Sequence, residues 1–241
     1  MDRFLKIAHR GYSELYPENT IPAFEKAIEA GADMIEFDVH LSRDGKPVVI
    51  HDNDVDRTSN GHGFVKDMTL AELQELDFNF RMTGDAGAIR IPTLDEVIDA
   101  AAGRILLNIE LKNCPHKYPG VEEAVIAAIR DRGIRDQVIV SSFDHYALLK
   151  VKTLAPEIRT GMLYEGGWLR FQDEVRELAV YSIHPAIDTI DVDQLAWARE
   201  HGYRVYVWVA TRRKEIVALT EGGLVDGIMV NDLTLFEDNC A

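Results

Sequence analysis

The sequence predicts a (β/α)8 TIM barrel with a small insertion after its second strand, and three observations lead there. Eight short β-type runs alternate with longer amphipathic segments. The 241 residues, 46% hydrophobic, suffice for one full core of this kind. Charged side chains that a fold rarely needs for itself stand at the ends of several runs, which in a barrel is the mouth.

The β-type runs are residues 6–9, 34–39, 105–111, 138–142, 160–164, 181–184, 204–209 and 227–230. Helix-like stretches occupy 22–30, 93–102, 121–132, 145–154, 191–201 and 211–221. The first run leads into His9-Arg10-Gly11. In the second, residues two apart share a face, so Glu36 and Asp38 point one way and Ile35 and Phe37 the other. Two carboxylates side by side inside a barrel repel each other unless a cation sits between them.

A ninth run, Pro47 to His51, follows Val39 too closely for a parallel crossover. Asp44-Gly45 is a hairpin-turn pair, so this run is expected antiparallel to the extension of the second strand. It opens an insertion expected at approximately 40–90, which holds a short helix signal at Thr69 to Leu73. The insertion ends where Thr93 and Glu96 form a capping box. In the third barrel strand Asn108, Glu110 and Lys112 share a face, with Ile109 and Leu111 outward. The stripe Val121, Val125, Ile126, Ile129 is helix-to-barrel packing, and Tyr206 and Trp208 share the inward face of their strand. Residues 1–241 are expected to form a single domain.

The net charge of −15 is spread along the chain and no Lys/Arg cluster stands out, which argues against nucleic acid as a partner. Apolar stretches fall well short of the roughly 20 residues a membrane-spanning helix needs. The first functional-looking residue comes at position 9, so no secretory leader is expected and a cytoplasmic location is. Cys114 and Cys240 are the two cysteines, Cys240 in a terminal tail, and free thiols are expected.

His9, Glu36, Asp38, Glu110 and Trp208 fall near the C-terminal ends of strands. Three acidic side chains converging there make an all-oxygen site, suited to one hard divalent cation, Mg²⁺ or Ca²⁺, rather than zinc; the plainer alternative is a structural ion-pair network. His9 and His51 are the candidates for proton transfer, since imidazole both takes and gives a proton near neutrality. Arg10 offers forked hydrogen bonds to a phosphate, and Lys112 a further positive charge. His40 is expected outside the inward row. His62, His116, His145 and His201 read as loop or helix-terminus residues, and His184 as a strand-end residue able to face the mouth.

These segments resemble the glycerophosphodiester phosphodiesterase family over nearly the whole chain. The matches are His9-Arg10-Gly11, Pro17-Glu18-Asn19-Thr20, Ala23-Phe24, Glu36-Phe37-Asp38-Val39, Asp44-Gly45, Val48-Val49-Ile50-His51-Asp52, Arg57-Thr58, the segment 91–96, Ile109-Glu110-Leu111-Lys112, Ser141-Ser142-Phe143 and Asp226-Gly227. The resemblance implies hydrolysis of a small-molecule glycerophosphodiester to glycerol 3-phosphate and an alcohol. It implies His9 and His51 as the acid-base pair, Glu36, Asp38 and Glu110 as metal ligands, Arg10 and Lys112 as phosphate contacts, and Phe143 and Trp208 as aromatic neighbours of the substrate. Asn231-Asp232 stands where the family's last strand ends in Thr-Asp, and Val209-Ala210-Thr211 where Thr-Val-Asn follows the tryptophan. Both departures lie on the far half of the mouth. Two other readings are a lysophospholipase D-like or sphingomyelinase D-like enzyme, for which no exposed apolar loop is evident in the sequence, and a non-catalytic binding barrel.

Overall fold

The computed structural model describes residues 4–79 and 87–237. Met1 to Arg3, Cys240 and part of the expected insertion lie outside the described residues, and with them the expectations about the leader and the tail thiol.

Among the described residues nine strands form one sheet: β1 (Leu5–His9), β2 (Met34–Leu41), β3 (Pro47–Val49), β4 (Leu106–Leu111), β5 (Val138–Ser142), β6 (Arg159–Tyr164), β7 (Ser182–Pro185), β8 (Arg204–Ala210) and β9 (Gly227–Val230). All except β3 are parallel to their neighbours, and β1 pairs with both β2 and β9, which closes an eight-stranded barrel. β3 runs antiparallel on β2, with Val39 opposite Val49 and His40 opposite Val48. The hairpin before it turns at Gly45, whose φ of +73° suits a residue without Cβ.

That hairpin lengthens β2, and here one expectation fails. His40 lies within the strand, fully buried and in the same alternating row as Glu36 and Asp38. The added pairing with β3 carries strand alternation one residue further than the apolar run of β2 suggests.

Among the described residues there are eight α-helices: α1 (Ile21–Glu29), α2 (Leu70–Gln74), α3 (Leu94–Ala101), α4 (Val121–Asp131), α5 (His145–Leu154), α6 (Phe171–Leu178), α7 (Val192–Glu200) and α8 (Arg213–Glu221). Seven connect barrel strands and α2 belongs to the insertion. Thr20 caps α1 by accepting from the Ala23 amide, and the capping boxes Thr69/Glu72 and Thr93/Glu96 start α2 and α3. α6 has no counterpart in the sequence reading, because its apolar stripe is only Phe171, Val175 and Leu178 among polar residues.

Outward-facing strand residues such as Ile35, Phe37, Ile109 and Val140 pack against the helices in one large core. Inside the barrel a smaller cluster, Ile7, Met34, Ile139, Tyr206 and Met229, lies below the mouth. The insertion has its own cluster, Val48, Ile50, Val55, Val65, Leu73, Phe78 and Ile91. The barrel register sets Glu36 beside His9 on one side and Asn108 on the other, and Asp38 beside Glu110.

Candidate active site

At the C-terminal end of the barrel a pocket is lined by His9, Arg10, Glu36, His51, Asn108, Glu110, Lys112, Phe143, Leu163, Trp208 and Met229. Every candidate residue from the sequence lines it except Asp38, which lies buried against two of its cations.

Glu36, Asp38 and Glu110 each place a carboxylate oxygen within 4.8 Å of the others. They meet because β2 and β4 are neighbours and all three residues point inward. Burial, with Asp38 and Glu110 close by, pushes the Glu36 carboxyl well above the usual range, and burial also raises Glu110. For Asp38 burial acts in the same sense, but Lys112 and Arg10 outweigh it and hold the carboxyl well below its ordinary value. The Lys112 ammonium lies 2.9 Å from Glu110 Oε1 and 3.5 Å from Asp38 Oδ1. Arg10 Nε lies 3.6 Å from Asp38 Oδ2, and the Arg10 backbone N–H donates to Glu36 Oε2 at 3.1 Å. Three buried carboxyl groups thus face two cations.

Both histidines have one ring nitrogen engaged away from the carboxylates. His9 Nδ1 meets Asn231 Oδ1 at 2.7 Å, and His51 Nδ1 meets Asp52 Oδ1 at 2.6 Å. An amide oxygen or a carboxylate only accepts, so each Nδ1 carries a proton and each Nε2 is the nitrogen left to face the pocket. His9 Nε2 lies 3.9 Å from Glu36 Oε2. Burial, reinforced by Arg10, lowers the His9 pKa to about 4, so the ring is neutral at pH 7. His40 Nε2 donates to the His51 carbonyl at 3.0 Å and fixes the backbone of that residue.

The segment Pro17 to Thr20 supports two of these groups and starts the following helix. Glu18 accepts from Arg10 Nη1 at 3.0 Å, Asn19 donates to Asp38 Oδ2 at 2.8 Å, and Thr20 starts α1. Sequence reasoning singled out this segment as a match without assigning it a task. It also placed Asn231 on the far half of the mouth, whereas closure of the barrel brings it against His9. Asn108 is fully buried, and neither atom of its amide has a partner.

On the aromatic side, Phe143 and Trp208 meet edge to face with ring centroids 5.5 Å apart, and Trp208 Nε1 donates to the His184 carbonyl at 2.8 Å. His184 points inward but is fully buried and does not line the pocket; its Nε2 is 2.8 Å from Ser182 Oγ. Among the described residues, exposed apolar side chains gather at this end: Leu15 after β1, Phe64 in the insertion, Phe143 and Tyr146 after β5, and Leu169 after β6. They are single residues on separate segments, which leave no local run in sequence.

A sequence model of the glycerophosphoryl diester phosphodiesterase family matches residues 9–235. A glycerophosphodiester phosphodiesterase of Caldanaerobacter subterraneus subsp. tengcongensis is 42% identical over 229 residues, covering 95% of this chain and 94% of that protein. One from Bacillus subtilis is 34% identical over 98% of this chain and 86% of its own length. The fold is also that of an Oleispira antarctica phosphodiesterase solved with the product sn-glycerol-3-phosphate, with a TM-score of 0.86, 31% identity, and coverage of 94% of this chain and 92% of that one.

Proposed function

This chain belongs to the glycerophosphoryl diester phosphodiesterase family, and from that premise we propose that it hydrolyses glycerophosphodiesters to glycerol 3-phosphate and an alcohol in the pocket at the barrel mouth. The observation that carries the reading is the pair His9 and His51, each with Nδ1 committed to an acceptor, beside three clustered carboxylates and Arg10.

The donor set fits a divalent cation. Burial, together with the neighbouring carboxylates, raises Glu36 and Glu110, and the ligand atoms are all hard oxygens. Glu36, Asp38 and Glu110 would hold Mg²⁺ or Ca²⁺, which when bound supplies Lewis acidity toward a phosphate oxygen.

The chain's own residues do the rest. Arg10 and Lys112 offset the charge that builds on the phosphoryl oxygens as phosphorus becomes five-coordinate. One imidazole Nε2 takes a proton from the nucleophile, a water or the glycerol 2-hydroxyl, and the other imidazole returns one to the departing alkoxide. Asn231 and Asp52 keep both rings in the tautomer that presents Nε2. Phe143 and Trp208 give the alcohol side an apolar wall.

The exposed apolar residues around the mouth favour one further reading, in which a lysophospholipid is also accepted. Release of glycerol 3-phosphate from glycerophosphocholine, compared with turnover of lysophosphatidylcholine, separates the two. Activity abolished by EDTA and restored by one ion supports the carboxylate site and identifies its metal. No turnover of either substrate with any ion would sink the proposal.

A further inference from the structure

Glu18 and Arg57 stand outside the proposed chemistry, yet they join its two halves. His51 Nδ1 donates to Asp52 Oδ1 at 2.6 Å. The other oxygen of Asp52 accepts from Arg57 Nε at 2.6 Å, and Arg57 Nη1 and Nη2 grip both oxygens of Glu18 at 2.7 Å each. Glu18 Oε1 in turn accepts from Arg10 Nη1 at 3.0 Å. One unbroken path therefore runs from the imidazole of His51 to the guanidinium of Arg10, through a residue of the insertion and a residue of the β1–α1 loop 39 positions apart.

We infer that Glu18 and Arg57 are positioning residues, a clamp that orients His51 through Asp52 and holds Arg10 directly, so that insertion and barrel present one site. The inference rests on the proposed role of His51. Exposed ion pairs generally contribute little stability, so a pair-by-pair reading would give Arg57 a minor part. The geometry says more: three of its five N–H donors are used, on two carboxylates at a fixed angle, which a planar fork can do and an ammonium cannot. Glu18 likewise needs a charged carboxylate, because it accepts from two guanidinium groups at once. Arg10 holds a left-handed backbone, φ +58°, unusual for a residue with a side chain. Such a conformation persists where its surroundings over-determine it. Here those surroundings are Glu36 on its N–H and Glu18 on its side chain.

The test is steady-state kinetics on glycerophosphocholine for Asp52→Asn, Arg57→Ala, Arg57→Lys and the double variant Asp52→Asn/Arg57→Ala, with thermal midpoints measured on each. Loss of the clamp is expected to lower kcat of Arg57→Ala about tenfold or more while KM moves less than about threefold, since His51 is set free but Arg10 keeps Glu18. The double variant should be no slower than the worse single within about twofold, because Arg57 reaches His51 only through Asp52. Arg57→Lys should retain the wild-type midpoint yet fail to recover kcat, and it serves as the test on its own if Arg57→Ala does not fold. Full kcat in Arg57→Lys, or losses that multiply in the double variant, overturns the clamp. An active wild type with an equally active Arg57→Ala removes the clamp alone, whereas an inactive wild type removes the functional reading first.

Discussion

Each group in the pocket has its state set by a neighbour that a residue list does not reveal. His9 is neutral at pH 7 because burial denies it a charge, and it is oriented because Asn231 accepts from its Nδ1. Replacing His9 or His51 with Ala is expected to lower kcat by roughly 10²- to 10⁴-fold, measured at saturating cation. Asn231→Ala should cost less than His9→Ala, because it loosens the ring without removing it; an equal or greater loss would give Asn231 a direct role. In the proposed ligand set Asp38→Asn leaves two carboxylates in place of three, and calorimetric titration of the chelator-treated protein should show weakened Mg²⁺ or Ca²⁺ binding. Unchanged affinity would take Asp38 out of the ligand set. The parity of β2 and β4 exposes Glu36, Asp38 and Glu110 to a reader of the sequence, whereas the contact between His9 and Asn231 spans 222 positions and has no local signature.

Among the elements, the β1–α1 loop and the insertion do the most for the site. Gly11 follows His9 and Arg10 with φ +81°, and a Cβ there would lie 2.8 Å from the backbone carbon of Ala23 in α1. Gly11→Ala is therefore expected to destabilise the protein by about 1–3 kcal/mol, read from denaturant midpoints, and to displace Arg10. The insertion is anchored by its own small core, where Leu73 is fully buried. Leu73→Ala should cost about 2–5 kcal/mol, and where the barrel stays folded the activity should fall with it, because His51 directly follows Ile50 of that core. A fully active but destabilised Leu73→Ala would separate the insertion from catalysis. The hairpin was legible from Asp44-Gly45 and the short spacing after Val39; α6 was not, since three buried side chains among polar neighbours make too thin a stripe.

At the scale of the whole molecule the barrel interior is polar where it carries chemistry and apolar beneath, and buried imidazoles tie its stability to pH, His9 and His40 as well as His184. His184 is fully buried, and burial lowers its pKa from 6.5 to about 3. The unfolded chain therefore takes up a proton that the native chain refuses. Stability contributed by the neutral ring is present above pH 6.5 and is lost as pH falls toward about 3, at up to about 1.4 kcal/mol per pH unit. Denaturant midpoints at pH 7 and pH 5 should show a shallower fall in His184→Gln than in the wild type. Parallel slopes would mean that the ring is charged in the fold.

The sequence by itself determined the alternation of strands and helices, the parity that turns Glu36, Asp38 and Glu110 inward, the hairpin that opens the insertion, and the two histidine segments. Those features arise from local periodicity and turn chemistry, which neighbouring residues express without help. Only the tertiary structure decided that β9 closes on β1 and brings Asn231 to His9, that β3 draws His40 into the row of the carboxylates, and that Arg57 of the insertion reaches Glu18 of the β1–α1 loop. These contacts join residues far apart in the chain. They exist because barrel closure and the packing of the insertion bring their carriers together.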